Sequence, residues 1–138
     1  MNYGIGLMVF WLVSGLLAGG LFLWAIQTQG PSSQRRWLAI GLIGVAAAYI
    51  VFSLVGGAGW PWLFIEIVGA AVYAALAVLG ARRAPGWLAL GWATHPLWDV
   101  VVHLLNRQAG FVPAWYALAC ASFDWTVAAY ILFPRQQR

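Results

Sequence analysis

Charge is scarce in this chain: its 138 residues contain seven arginines, no lysine and only three carboxylates. A water-soluble domain carries about a quarter of its residues charged, so 7% excludes a solvated surface. The arginines stand in short clusters at the ends of apolar runs, not in a basic stripe interleaved with aromatics, and nucleic acid is therefore not expected as a partner. A single cysteine, Cys120, excludes an intrachain disulfide and any CxxC redox or zinc-finger motif. No polar stretch is long enough to fold as an extramembrane catalytic module. Apolar residues, by contrast, make up 64% of the chain, and the mean hydropathy is +0.84. These features describe one domain, residues 1–138, of a multi-pass membrane protein whose chemistry has to be done inside the bilayer.

The apolar runs cover 3–26, 37–55, 62–79, 87–105 and 115–133, each of a length to span a bilayer. Between them lie QTQGPSSQRR, GGAGWP, GARRAPG and NRQAGFVPA, rich in the Gly, Pro, Ser and Asn that end helices. Backbone polar groups in lipid must pair internally, and runs of Ala, Leu and Gly suit helices better than barrel strands. The expected fold is all-α, an integral membrane bundle of five transmembrane helices. Arg35 and Arg36 follow the first run, Arg82 and Arg83 the third, and Arg135 and Arg138 the fifth, while only Arg107 falls on the opposite side. A bias of six against one puts the N-terminus outside and the C-terminus in the cytoplasm, in a cell (inner) membrane. The start, MNYGIG, has no basic n-region, so the first run reads as an uncleaved span and not a signal peptide.

Trp24, Trp37 and Trp87 fall near the inner ends of their spans and Trp60, Trp62 and Trp115 near the outer ends, as interfacial belts do. Gly15 and Gly19 form a small-xxx-small pair, which reads as close packing within the bundle.

The polar residues are allocated unusually. Glu66, Asp99, Asp124, His95 and His103 all lie within spans, and no loop contains a carboxylate. An ionisable group near mid-bilayer costs about 2.5 to 3.5 kcal/mol, so these five should face the bundle interior and find partners. At about 1.5 Å per residue, the depths from the outer end are about 6 Å for Glu66, 9 Å for Asp99, 3 Å for His103 and 15 Å for His95 and Asp124. All five share the outer half. His95, Asp99 and His103 follow at i+4 steps, each about 40° around the helix from the last, forming one stripe. The two histidines are about 12 Å apart along the axis, too far to share one metal or one haem iron, so only His95 with Asp99, or Asp99 with His103, can share a site. Pro96 deletes a backbone bond inside the stripe and should kink the helix, freeing the Trp92 carbonyl.

The candidate catalytic residues are therefore Asp99, His103, His95, Glu66 and Asp124, with His95, Asp99 and His103 as candidate ligands of a divalent metal ion. Trp98, Trp92 and Trp125 lie beside them in sequence, where they could wall an apolar cavity, or instead be core or lipid-facing tryptophans. Tyr49, Ser53 and Tyr73 are potential hydrogen-bond donors to the site. Cys120, one turn before Asp124, is a potential thiolate, although a lone cysteine in an apolar span is more often a packing residue.

GWATHPLWDVVVH, Gly91 to His103, and CASFD, Cys120 to Asp124, together resemble a family of small bacterial and fungal membrane proteins of unknown function. The family pattern is GW-x-x-H-x-x-W-D followed by a histidine pair, then a segment with two cysteines and an aspartate. His95, Trp98, Asp99 and His103 match the first motif, with Val102 where the pair's first histidine stands. Cys120 and Asp124 match the second, with Phe123 in place of a cysteine and Trp125 of a proline. Glu66 is the counterpart of an acidic residue after a GG-x-G-x-W segment, here about a turn later. The departures remove potential ligands, and the resemblance implies a site without implying an activity.

Three function classes fit. The first is a membrane-embedded enzyme, acid/base or metal-assisted, acting on a lipophilic small molecule. The second is a non-catalytic ligand-, pigment- or quinone-binding subunit of a homo-oligomer or larger membrane complex. The third is a proton- or cation-coupled carrier; anions fit poorly, because no basic residue lies near mid-membrane.

Overall fold

In the structure, a computed structural model describing residues 4–133, five α-helices follow one another: α1 Ile5–Ile26, α2 Pro31–Val55, α3 Trp60–Arg82, α4 Pro85–Trp98 and α5 Ala114–Leu132. A π-helical segment, Asp99–Leu104, prolongs α4, and a 3-10 turn, Arg107–Ala109, leads towards α5. Tyr3, Arg135 and Arg138 lie outside the described residues.

Two helices start earlier than their apolar runs. α2 begins at Pro31, six residues before Trp37, because proline suits a first turn whose N–H groups have no helical partner anyway. Gln34 holds this turn to the preceding loop by donating from Nε2 to the carbonyls of Gln27 at 3.2 Å and Gln29 at 2.7 Å. α3 likewise takes in Trp60 and Pro61, and it runs on to Arg82. The arginine pair 35/36 is thus helical and not in a loop. α4 meets Pro96, which has no N–H to give the ladder, and two residues later the α pattern yields to the wider i→i+5 turn of a π-helix.

Short connections force successive helices to alternate in direction, and the contacts agree. Trp11 on α1 meets Trp115 on α5 with ring centroids 5.3 Å apart, so α1 and α5 run parallel. Tyr130 near the end of α5 donates to Gln34 at the start of α2 over 3.1 Å. Trp62 near the start of α3 meets Phe111 in the loop before α5, at 5.6 Å. The bundle therefore gathers Arg35, Arg36, Arg82 and Arg83 at one end and Arg107 at the other. α2 packs on α3, α1 on α5, and α4 lies between α3 and α5.

Leu42, Ala77, Leu88, Trp92 and Val127 are fully buried and form the apolar core between these helices. At Gly15, α1 packs tight against α5: a Cβ there would collide with the Ala119 carbonyl and the Ser122 hydroxyl, so the small pair serves packing inside the bundle. Large apolar side chains also cover the outside. Leu17, Leu21, Phe64, Val51 and Val101 are all more than half exposed, a surface that water would not tolerate. α1, α2 and α3 are each long and apolar enough to cross a membrane. α4 is only 14 residues before its π extension, and α5 carries Ser122, Asp124 and Thr126 in its middle. The chain is a helical membrane protein by this composition.

Candidate functional site

Two polar clusters sit inside the apolar bundle. The larger joins α4 to α5 and α2. His95 and Asp99, one turn apart, place Nδ1 and Oδ1 3.6 Å from each other. Cys120 and Asp124 repeat that spacing on α5, with Sγ 3.6 Å from Oδ2. The pairs face one another: His95 Nδ1 stands 2.7 Å from Asp124 Oδ2. From α2, the Tyr49 hydroxyl donates to Asp99 Oδ1. Every member is essentially closed to the outside, with His95, Asp99 and Asp124 at 0% exposure and Cys120 at 6%. Tyr73 of α3 sets its ring edge-on to His95, with centroids 4.7 Å apart.

This cluster has unspent binding capacity. One ligand atom from each of His95, Asp99, Cys120 and Asp124 can be chosen so that all four lie within 4.8 Å of one another. A tetrahedral zinc-type ion, at about 2.0 to 2.3 Å from each ligand, would need them roughly 3.3 to 3.8 Å apart, so small side-chain movements suffice. His95 Nε2 and Asp99 Oδ2 are buried and have no hydrogen-bond partner among the described residues. Buried polar atoms are normally satisfied, so these two are free to meet a water, an ion or another ligand. Nitrogen, sulfur and carboxylate donors together suit borderline-soft ions such as zinc, whereas magnesium and calcium prefer oxygen alone.

The second cluster lies between α3 and the π segment. His103 Nε2 is 3.3 Å from Glu66 Oε1, within ion-pair distance though not aligned as a hydrogen bond. Trp98 Nε1 donates to Glu66 Oε2 at 3.3 Å. Tyr49 bridges the clusters: its hydroxyl serves Asp99 while its ring stacks on His103, centroids 4.3 Å apart and planes 3° from parallel.

The expected stripe is therefore divided. His95 and Asp99 come together, but His103 leaves them for Glu66, and the residues that could hold an ion together are His95, Asp99, Cys120 and Asp124. The π segment is the physical reason: four residues overshoot an α-turn slightly but fall short of the wider i→i+5 turn, which re-aims His103 towards α3. The tryptophans also part. Trp98 does meet Glu66. Trp92 is sealed in the core, donating to the Leu38 carbonyl at 3.2 Å. Trp125 is 52% exposed: one residue past an inward Asp124 is about 100° around the helix, and it faces outwards. Cys120 carries more weight than a lone cysteine suggests; the signal for it was the shared i,i+4 spacing of Cys120/Asp124 and His95/Asp99. Tyr116, packed against Tyr49 at 5.5 Å, had no such signal.

Fold and site together define a helical membrane protein with a buried His/Asp/Cys group. The chain belongs to a family of unknown function, DUF6010, which matches residues 10–137. No curated protein and no solved structure matches it.

Proposed function

We propose that this chain is a five-span protein of the cell membrane that holds a zinc-like divalent ion at His95, Asp99, Cys120 and Asp124 and uses it to act on a lipophilic substrate. The observation that carries this reading is the convergence of four buried ligand atoms, within 4.8 Å, from i,i+4 pairs on two facing helices. Helix bundles build metal centres in this way, from inward residues on neighbouring helices. α4 with its π extension, Pro85 to Leu104, and α5 supply the fourth and fifth spans. The arginine-rich end of the bundle faces the cytoplasm under the positive-inside rule.

Four protein ligands fill a tetrahedral shell, so one carboxylate, Asp99 or Asp124, would have to let go of the ion before it could polarise a carbonyl or activate a bound water. Tyr49 would keep Asp99 oriented by its hydrogen bond, and the surrounding core would exclude bulk water. Elemental analysis of purified protein tests the reading. One zinc-type ion per chain, reduced at least about tenfold by Asp99→Asn with insertion unchanged, supports it; metal-free protein that refuses added zinc and cobalt overturns it.

A second reading, a proton- or cation-coupled carrier, draws on the second cluster. Glu66 and His103, both buried, continue the polar interior beyond the first cluster, and Ser53 on α2 is buried with its hydroxyl unpartnered among the described residues. Proton or cation flux into vesicles containing only this protein would favour it over catalysis.

A further inference from the structure

An apolar cleft of about 320 Å³ opens between α1 and α5, and Cys120, a member of the larger polar cluster, is among the residues that line it. Trp11 and Trp115 close one end of it, and Phe123 bounds the other. Its walls are kept low by small residues: Gly15 and Ala18 on α1 and Ala119 on α5. From Trp115 to Phe123 is eight residues, which on a helix is a run of about 12 Å. No charged residue lines the cleft, so its occupant is uncharged along its length. On the same helix α1, Leu12, Leu16 and Leu17 are exposed and, in a bilayer, meet lipid.

We infer that this cleft takes one hydrocarbon chain of a bilayer lipid and lays it beside Cys120. The inference rests on the proposed membrane metal centre and names its substrate class. A chain lying in the cleft passes the thiol that stands 3.6 Å from Asp124 Oδ2, so the carbons or ester group at that level are the ones offered to the buried ligands. Of the three tryptophans considered from sequence for an apolar cavity, Trp92 is sealed in the core, Trp98 meets Glu66 and Trp125 faces outwards, while Trp11 and Trp115 stand at this cleft.

The experiment is photolabelling of the full chain in phosphatidylcholine vesicles carrying a trace of phosphatidylcholine with a mid-chain diazirine, followed by peptide mapping and metal analysis of the same sample. The expected result is label concentrated on residues 11–18 and 115–123, about tenfold above the exposed face of α3 around Val68 and Val72. Ala18→Phe, which fills the cleft, should remove that excess without changing metal content, and Ala18→Ser should keep both. Label spread evenly over α1, α3 and α5 in the wild-type chain overturns the inference without recourse to any variant. Metal-free protein that still labels in the cleft would sink the metal centre and leave the cleft standing. Metal-loaded protein with even labelling would do the reverse.

Discussion

His95 Nδ1 lies 2.7 Å from Asp124 Oδ2, and the contact ties α4 to α5 at a point neither side chain shares with the outside. Two ligands of one tetrahedral ion do not approach that closely, so metal binding would exchange this single bond for two bonds to the ion. The pair is thus a structural link as it stands, and would become part of the proposed ligand set if an ion bound.

Asp124→Ala should lower the melting temperature, because a buried imidazole left without its acceptor costs about 1 to 3 kcal/mol. Asp124→Asn keeps an acceptor oxygen and should lose less stability, while both variants lose metal. Thermal unfolding in detergent, paired with metal analysis, checks this; an unchanged melting temperature for Asp124→Ala would show that the contact carries no stability.

Glu66→Gln and His103→Ala should keep the metal content of the wild type, since neither residue belongs to the convergent set of four. Both should still destabilise the chain, by about 1 to 3 kcal/mol for a broken buried polar pair. Loss of metal in either variant would mean that the two clusters act as one site.

Trp98 reaches Glu66 only because α3 has a glycine beneath the ring. A Cβ at Gly69 would stand 2.7 Å from Trp98 Cζ2, so Gly69→Ala should push the indole off its bond to Glu66 at a cost of about 1 to 3 kcal/mol. Combined with Trp98→Ala, the same substitution should cost much less, a coupling that a double-mutant cycle of melting temperatures measures. Additive losses would place the strain elsewhere.

The arginine partition predicts that a reporter fused after Arg138 is active on the cytoplasmic side, and one fused before Met1 on the external side. Activity of the C-terminal fusion on the outside alone would contradict the orientation.

Much of the fold was legible because apolar length speaks directly. The run 115–133 matches α5, Ala114–Leu132, almost residue for residue, with Pro113 marking its start. The start of α2 was hidden, since a polar first turn such as PSSQRR looks like a loop to any reading based on hydropathy. Within the site, His95 and Asp99 were visible through their i,i+4 spacing, which α-helical geometry converts into a contact. His103 has the same spacing from Asp99 and yet a different partner, because Val100 to Val102 give no sign that the ladder there is π-helical. Asp124 was placed at the level of His95 by counting residues, and the i,i+4 spacing put Cys120 on its face one turn earlier. The value of that thiol depends on which face of α5 turns towards α4, and only packing decides this.

X-ray absorption at the zinc edge, on protein purified and loaded with one equivalent of zinc, addresses the proposed centre most directly. Four buried ligands from His95, Asp99, Cys120 and Asp124 give one sulfur at about 2.3 Å and three nitrogen or oxygen neighbours at about 2.0 Å, with the sulfur lost in Cys120→Ser. A shell of oxygen alone, or one that Cys120→Ser and Asp99→Asn leave unchanged, would contradict it.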